Sequence, residues 1–65
     1  MNRLRELRNE RGLSQDRLAN EMLINIKTLR RYEVGENDPR VSILIDLADY
    51  FEVSIDYLVG RSDVR

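Results

Sequence analysis

The stretch SQDRLANEMLINIKTLRRYEVG, Ser14 to Gly35, decides how the rest of the chain is read. It divides into two short helices, about 15–22 and 26–34, joined at Leu23-Ile24 by a turn too short to be a flexible connection. Ser14 and Asn25 stand where the helices begin, and both carry a side-chain oxygen able to accept the first free amides of a helix. Asp16 suits the positive end of the earlier helix, whereas Arg17 occupies the position where Glu or Gln would close a reciprocal capping box. Leu18 and Met22 make its inward stripe, and Ala19 is small enough for the next helix to cross closely. Gly35 ends the second helix, a position glycine commonly fills.

A step of about 100° per residue around 26–34 puts Thr28, Leu29 and Tyr32 on one arc. Ile26, Lys27, Arg30, Arg31 and Val34 fall on the opposite one. The first arc reads as core, while the second carries three cations and no acid. So short a helix is marginal alone, so packing of Leu29 and Tyr32 must hold it. Its outward face is then left to present a binding surface.

Towards the N-terminus, a first helix of about 2–11 ends at Arg11-Gly12. Leu4 and Leu7 share a face, with Arg8 and Arg11 at its edge. An arginine turned towards a core normally has a partner, and Glu33 is the acid expected for Arg8. Arg11 is left for solvent or a phosphate. The alternative is that both arginines only lay their stems over apolar neighbours.

Towards the C-terminus, residues 36–40 form a loop with the chain's single proline, Pro39, and with Asn37 and Arg40 as outward polar groups. A fourth helix of about 41–52 turns Leu44, Leu47, Ala48 and Phe51 inwards. Ile43, Tyr50, Val41 and Ile45 widen its apolar arc, the mark of a central helix or of one with a partner. Ser54 caps a last helix of about 55–59, which stops at Gly60. The expected class is all-α, a compact arrangement of five helices.

The 65 residues hold no cysteine and no histidine, which removes disulfides, thiolate metal sites, the commonest metal ligand and the commonest general base. The carboxylates mostly lie on outward helix faces, with no glycine-rich phosphate loop beside them. An enzyme is therefore not expected, nor a metal or cofactor. No apolar run is long enough for a membrane span and no signal sequence opens the chain, so a soluble intracellular domain is expected. Net charge is -1, unevenly placed: residues 1–31 carry +4 and residues 32–65 carry -5. The outward-facing helix lies in the basic half, and an acidic rear limits indiscriminate attraction to phosphates.

With these residues placed, the chain resembles the Cro/C1-type helix-turn-helix family, the lambda-repressor-like DNA-binding domains of bacteria and phages. The resemblance rests on LRELRNERGLSQ at 4–15, TLRRYEVGENDP at 28–39 and LADYFEVSIDYLVGRSD at 47–63, in order and over nearly the whole chain. It implies one domain over 1–65, with the third helix in the major groove of double-stranded DNA. It further implies that Gln15 meets the phosphate backbone or braces a base contact, and that Asn25, Ile26, Lys27 and Arg31 face bases or adjacent phosphates. Arg30 adds charge, and loop amides with Asn37 or Arg40 would hold neighbouring phosphates. Arg8 and Glu33 match the family's internal ion pair.

Three departures stand out. Leu23 takes a turn position usually held by glycine, Ile26 one where a hydrogen-bonding side chain is common, and Arg40 replaces a serine-type helix cap.

The implied function is a cytoplasmic, bacterial or phage-encoded transcriptional regulator, a repressor that works as a homodimer without a small-molecule ligand. Ile43, Ile45, Tyr50, Tyr57 and Val59 are the candidate dimer residues. The alternative is a protein-interaction module on the same fold, which Ile26 and Val34 on the exposed face would favour.

Overall fold

Capping residues set the helix starts in the computed structural model, which describes residues 2–65. The elements are α1 (Leu4–Glu10), α2 (Gln15–Met22), α3 (Ile26–Val34), α4 (Val41–Phe51) and α5 (Ile55–Leu58), with no strand among the described residues. Ser14 Oγ accepts from the Arg17 amide, Asn25 Oδ1 from the Lys27 amide and Ser54 Oγ from the Tyr57 amide, each satisfying a donor that the helix itself leaves open. Arg40 makes no side-chain cap to α4.

The first helix starts later than its pattern predicts. Asn2 Oδ1 accepts from the Leu4 amide at 3.0 Å, and the Arg3 amide is drawn to Leu58 O at 2.8 Å. Arg3 therefore ties α1 to α5 and Asn2 bonds its first turn rather than extending the helix, while Arg11 caps its far end. The fourth helix stops at Phe51 and the fifth at Leu58.

Helices α2 and α4 end in the same way. Leu23 (φ 57°) and Glu52 (φ 56°) are left-handed, and the amides of Ile24 and Val53 return to Ala19 O and Ala48 O. This closes each last turn and turns Ile24 and Val53 back onto the core. Leu23 thus holds the conformation that glycine adopts without penalty, and its side chain is 92% exposed.

The core consists of Leu4, Leu7, Leu18, Ala19, Leu29, Leu47, Ala48, Phe51, Tyr57 and Leu58. Every helix contributes, so α3 is held through Leu29 while its other side stays open. One expectation is corrected here. Tyr57 is a core residue, 7% exposed, with the Arg3 guanidinium 4.1 Å from its ring centroid and that of Arg65 at 5.1 Å, and so offers no surface to a second copy. Arg11 reaches solvent as expected, but with neighbours: it lies 4.0 Å from Glu52 and over the Tyr50 and Phe51 rings.

Candidate nucleic-acid interface

The exposed face of α3 follows from its sequence. Leu29 is fully buried, Thr28, Tyr32 and Glu33 are half-buried, and Lys27, Arg30, Arg31 and Val34 are exposed. Ile26 is the exception to the expected division. At about 100° per residue it sits only about 60° from Leu29 around the helix, and it packs half-buried against the core. It therefore edges the exposed face rather than leading it.

Charge on this face is unusually free. Arg3, Arg5, Arg8, Arg11, Arg17 and Arg65 each have a carboxylate within 4.0 Å. Among the described residues, the cations with no such partner are Lys27, Arg30, Arg31, Arg40 and Arg61. All but Arg61 lie on α3 or beside it. Arg40 and Ser42 line a shallow groove together with Asn25, Thr28 and Tyr32, which brings the start of α4 against the first half of α3. Asn37 is exposed in the loop that follows α3.

Beneath that face lies a buried polar chain. The Glu33 side chain is 2% exposed; its Oε2 accepts from Arg8 Nε at 2.7 Å and its Oε1 from Arg8 NH2 at 3.3 Å. Arg8 NH1 donates to Leu13 O at 2.8 Å, so the guanidinium is satisfied on all sides that face the protein. Gln15 Nε2 donates to Glu33 Oε1 at 3.1 Å, and Gln15 Oε1 accepts from Arg30 Nε at 3.2 Å. Arg5, mostly exposed, stands 4.0 Å from the same Glu33 oxygen.

Asn25 and Gln15 are therefore both partly engaged. Asn25 Oδ1 caps α3, which leaves its amide NH2 as the outward group. Gln15 links α2, the buried pair and α3. Periodicity does not show that Arg30 is its partner, because two polar residues 15 apart on different helices leave no periodic signal. The candidate dimer residues do not gather into one exposed patch: Ile43 and Tyr50 pack half-buried on the core, Val59 is half-buried, and Ile45 is 44% exposed.

No group of His, Cys, Asp or Glu among the described residues could hold a metal ion, and no helix is long and apolar enough to cross a membrane.

Comparison with known proteins agrees with this geometry. The helix-turn-helix family profile matches residues 4–58. The HTH-type transcriptional regulator ImmR of Bacillus subtilis is 36% identical over 62 residues, covering 95% of this chain and 49% of that protein. The cryptic phage CTXphi transcriptional repressor RstR of Vibrio cholerae is 37% identical over 59 residues, covering 91% of this chain and 53% of that protein. The HTH-type transcriptional regulator PrpR of Mycobacterium tuberculosis is 35% identical over 63 residues, covering 97% of this chain but 13% of its own length. The chain thus spans about half the length of the first two relatives. No solved structure matches it significantly. With its family profile matched from α1 to α5 and its second and third helices joined by a tight turn, the chain belongs to the Cro/C1-type helix-turn-helix family.

Proposed function

We propose that this chain is a sequence-specific double-stranded DNA-binding domain over residues 1–65, part of a transcriptional regulator that represses, with α3 laid in the major groove. The observation that carries this reading is the clustering of Lys27, Arg30, Arg31 and Arg40, none with a carboxylate within 4.0 Å among the described residues, on and beside one helix face. Unpaired cations on a short helix anchored from behind suit phosphates and base edges better than a solvated surface needs. A major groove about 12 Å wide admits such a helix. Lys27, Arg31 and Asn25 then face bases or the adjoining phosphates, and Asn37 and Arg40 the backbone beyond.

Size supports a homodimer. The longest extent of the domain is 28 Å, whereas half-sites read from one side of the duplex lie about 34 Å apart. Two copies are needed to read both. The names of the relatives, regulators and a phage repressor of bacteria, support the regulatory role and a cytoplasmic location. The function is binding rather than catalysis.

A protein-binding use of the same face has weaker support. Val34 is 67% exposed, but Ile26, its other apolar element, is packed against the core. Salt separates the two readings. If Lys27, Arg30, Arg31 and Arg40 all meet phosphate, affinity for duplex DNA falls roughly 100-fold between about 50 and about 200 mM salt. Selection from a random pool then enriches a two-fold symmetric site. A complex that survives this change in salt unweakened would point to protein binding.

A further inference from the structure

Leu23 is the most exposed large apolar side chain among the described residues, at 92%. It belongs neither to the core nor to the residues packed on it, and it holds a left-handed turn that glycine makes without strain. Beside it a shallow groove runs between the end of α2 and α4, with Met22 and Tyr50 half-buried in it and Glu21, Asp46 and Asp49 around them. Tyr50 is met edge-on by Phe51, ring centroids 5.1 Å apart, so that wall is fixed to the core. Glu21 is answered by Arg17 at 3.2 Å, whereas Asp46 and Asp49 have no cation within 4.0 Å among the described residues. The groove is lined by no cation, so its charge repels duplex DNA. A single exposed leucine is ordinary; one that strains the free domain, at a groove lined by Met22 and Tyr50, is an anchor without a partner.

We infer that this groove is a docking surface for a basic amphipathic helix of a partner protein, with an apolar residue set against Leu23, Met22 and Tyr50 and Lys or Arg side chains against Asp46 and Asp49. Apolar burial supplies the affinity, and the two carboxylates select the sign of the partner's rim. A helix offers that combination on one face, with apolar positions three or four apart and cations at their flanks. Leu23 also borders the groove beside α3, so the partner stands next to α3 rather than over it. A second copy of this chain is the poorer occupant: apart from Arg61, its unpaired cations lie on or beside α3, the face that meets DNA. Only that choice of occupant rests on the DNA-binding reading.

The probe is a synthetic helix of about five turns, with Leu at positions three and four apart and Lys on both flanks, titrated into the isotope-labelled 65-residue protein. Amide shifts should centre on Met22, Leu23 and Tyr50. Leu23→Gly should weaken the peptide about tenfold or more while raising the melting temperature, opposite signs that a merely structural leucine would not give. Asp46→Asn combined with Asp49→Asn should weaken it about fivefold, and a peptide with Glu in place of Lys should not bind. A permuted peptide of the same composition, which has no apolar face, should bind at least about tenfold more weakly. Equal binding of the permuted peptide, or equal binding to Leu23→Gly, overturns the proposal and leaves only attraction between charges. So does the absence of binding at about 1 mM peptide. If the same shifts grow without peptide as protein concentration rises, the occupant is a second copy and the proposed partner is wrong. Duplex binding measured on the same samples stands or falls separately from these results.

Discussion

Arg8 of α1 and Glu33 of α3, 25 residues apart in the chain, meet as a two-pronged ion pair, Nε to Oε2 at 2.7 Å and NH2 to Oε1 at 3.3 Å, with both side chains shielded from solvent. The pair fixes the exit of α3 against the first helix. Glu33 Oε1 accepts from Gln15 Nε2 as well.

Removing one member of this pair strands the other in a place without water. Glu33→Ala is expected to cost about 3–5 kcal/mol, against a total stability of about 3–10 kcal/mol for a chain this size. Thermal unfolding followed by circular dichroism should show a drop of about 15 °C or more. Arg8→Met combined with Glu33→Leu should recover most of it, since two apolar groups leave no unpaired charge. A single-variant shift of only a few degrees would mean that water reaches the pair.

Leu23 carries strain that a smaller residue would relieve. A left-handed L-residue costs about 1–2 kcal/mol, and glycine gives back about 0.5–1 kcal/mol of that by loosening the unfolded chain. Because the side chain is 92% exposed, its removal forfeits little packing. Leu23→Gly should stabilise the domain by about 0.5–1 kcal/mol, read as a higher urea midpoint at constant slope. Destabilisation would show that Leu23 buries its side chain in solution, for instance against another copy.

Arg65 is clasped by charge to the end of α1. Arg65 places NH1 and NH2 at 2.9 and 2.6 Å from the two Glu10 oxygens, while the Ser54 amide donates to Arg65 O at 2.7 Å. The hydrogen bond from Arg65, with its nearby charge, holds the Glu10 carboxyl below its ordinary value of 4.5, and the Arg65 guanidinium is correspondingly harder to deprotonate. A carboxylate with a depressed folded value stabilises the clasp fully above its unfolded value and loses that contribution as pH falls through the folded one. Exchange protection of the Ser54 amide should therefore hold at neutral pH and decay below about 4.5. In Glu10→Gln it should be weaker at neutral pH and flat across that window. An identical acid profile in both proteins would remove Glu10 from the clasp.

Local chemistry was legible in the sequence, and so was one cross-helix ion pair, but the rest of the cross-helix geometry was not. Ser14, Asn25 and Ser54 announce their helices because a cap acts within three residues of itself. The Arg8–Glu33 pair was readable because an arginine beside Leu4 and Leu7 must find an acid. Tyr57 misled because α5 has four residues, too few for a periodic stripe to separate core from surface. Ile26 misled because a two-arc division ignores the edge between arcs. Asn2 looked helical, yet its Oδ1 accepts from the Leu4 amide at 3.0 Å and its Nδ2 donates to Tyr32 O at 2.7 Å, the second a tertiary contact that periodicity does not show.

Arg31 and Arg40 should separate base reading from backbone attraction. Arg31 lies on the exposed face of α3, while Arg40 sits on the loop at the start of α4, beside Asn25 and Thr28. A phosphate contact carries no sequence information, so Arg40→Ala should weaken binding evenly on cognate and scrambled duplexes and reduce the salt slope by about 0.9. Arg31→Ala should lose more on the cognate site, because a base contact adds discrimination of about 1–3 kcal/mol that scrambled DNA never offered. Fluorescence anisotropy on both duplexes at several salt concentrations reads both effects. Equal losses for both variants on both duplexes would assign Arg31 to the backbone and leave base reading to the rest of the α3 face.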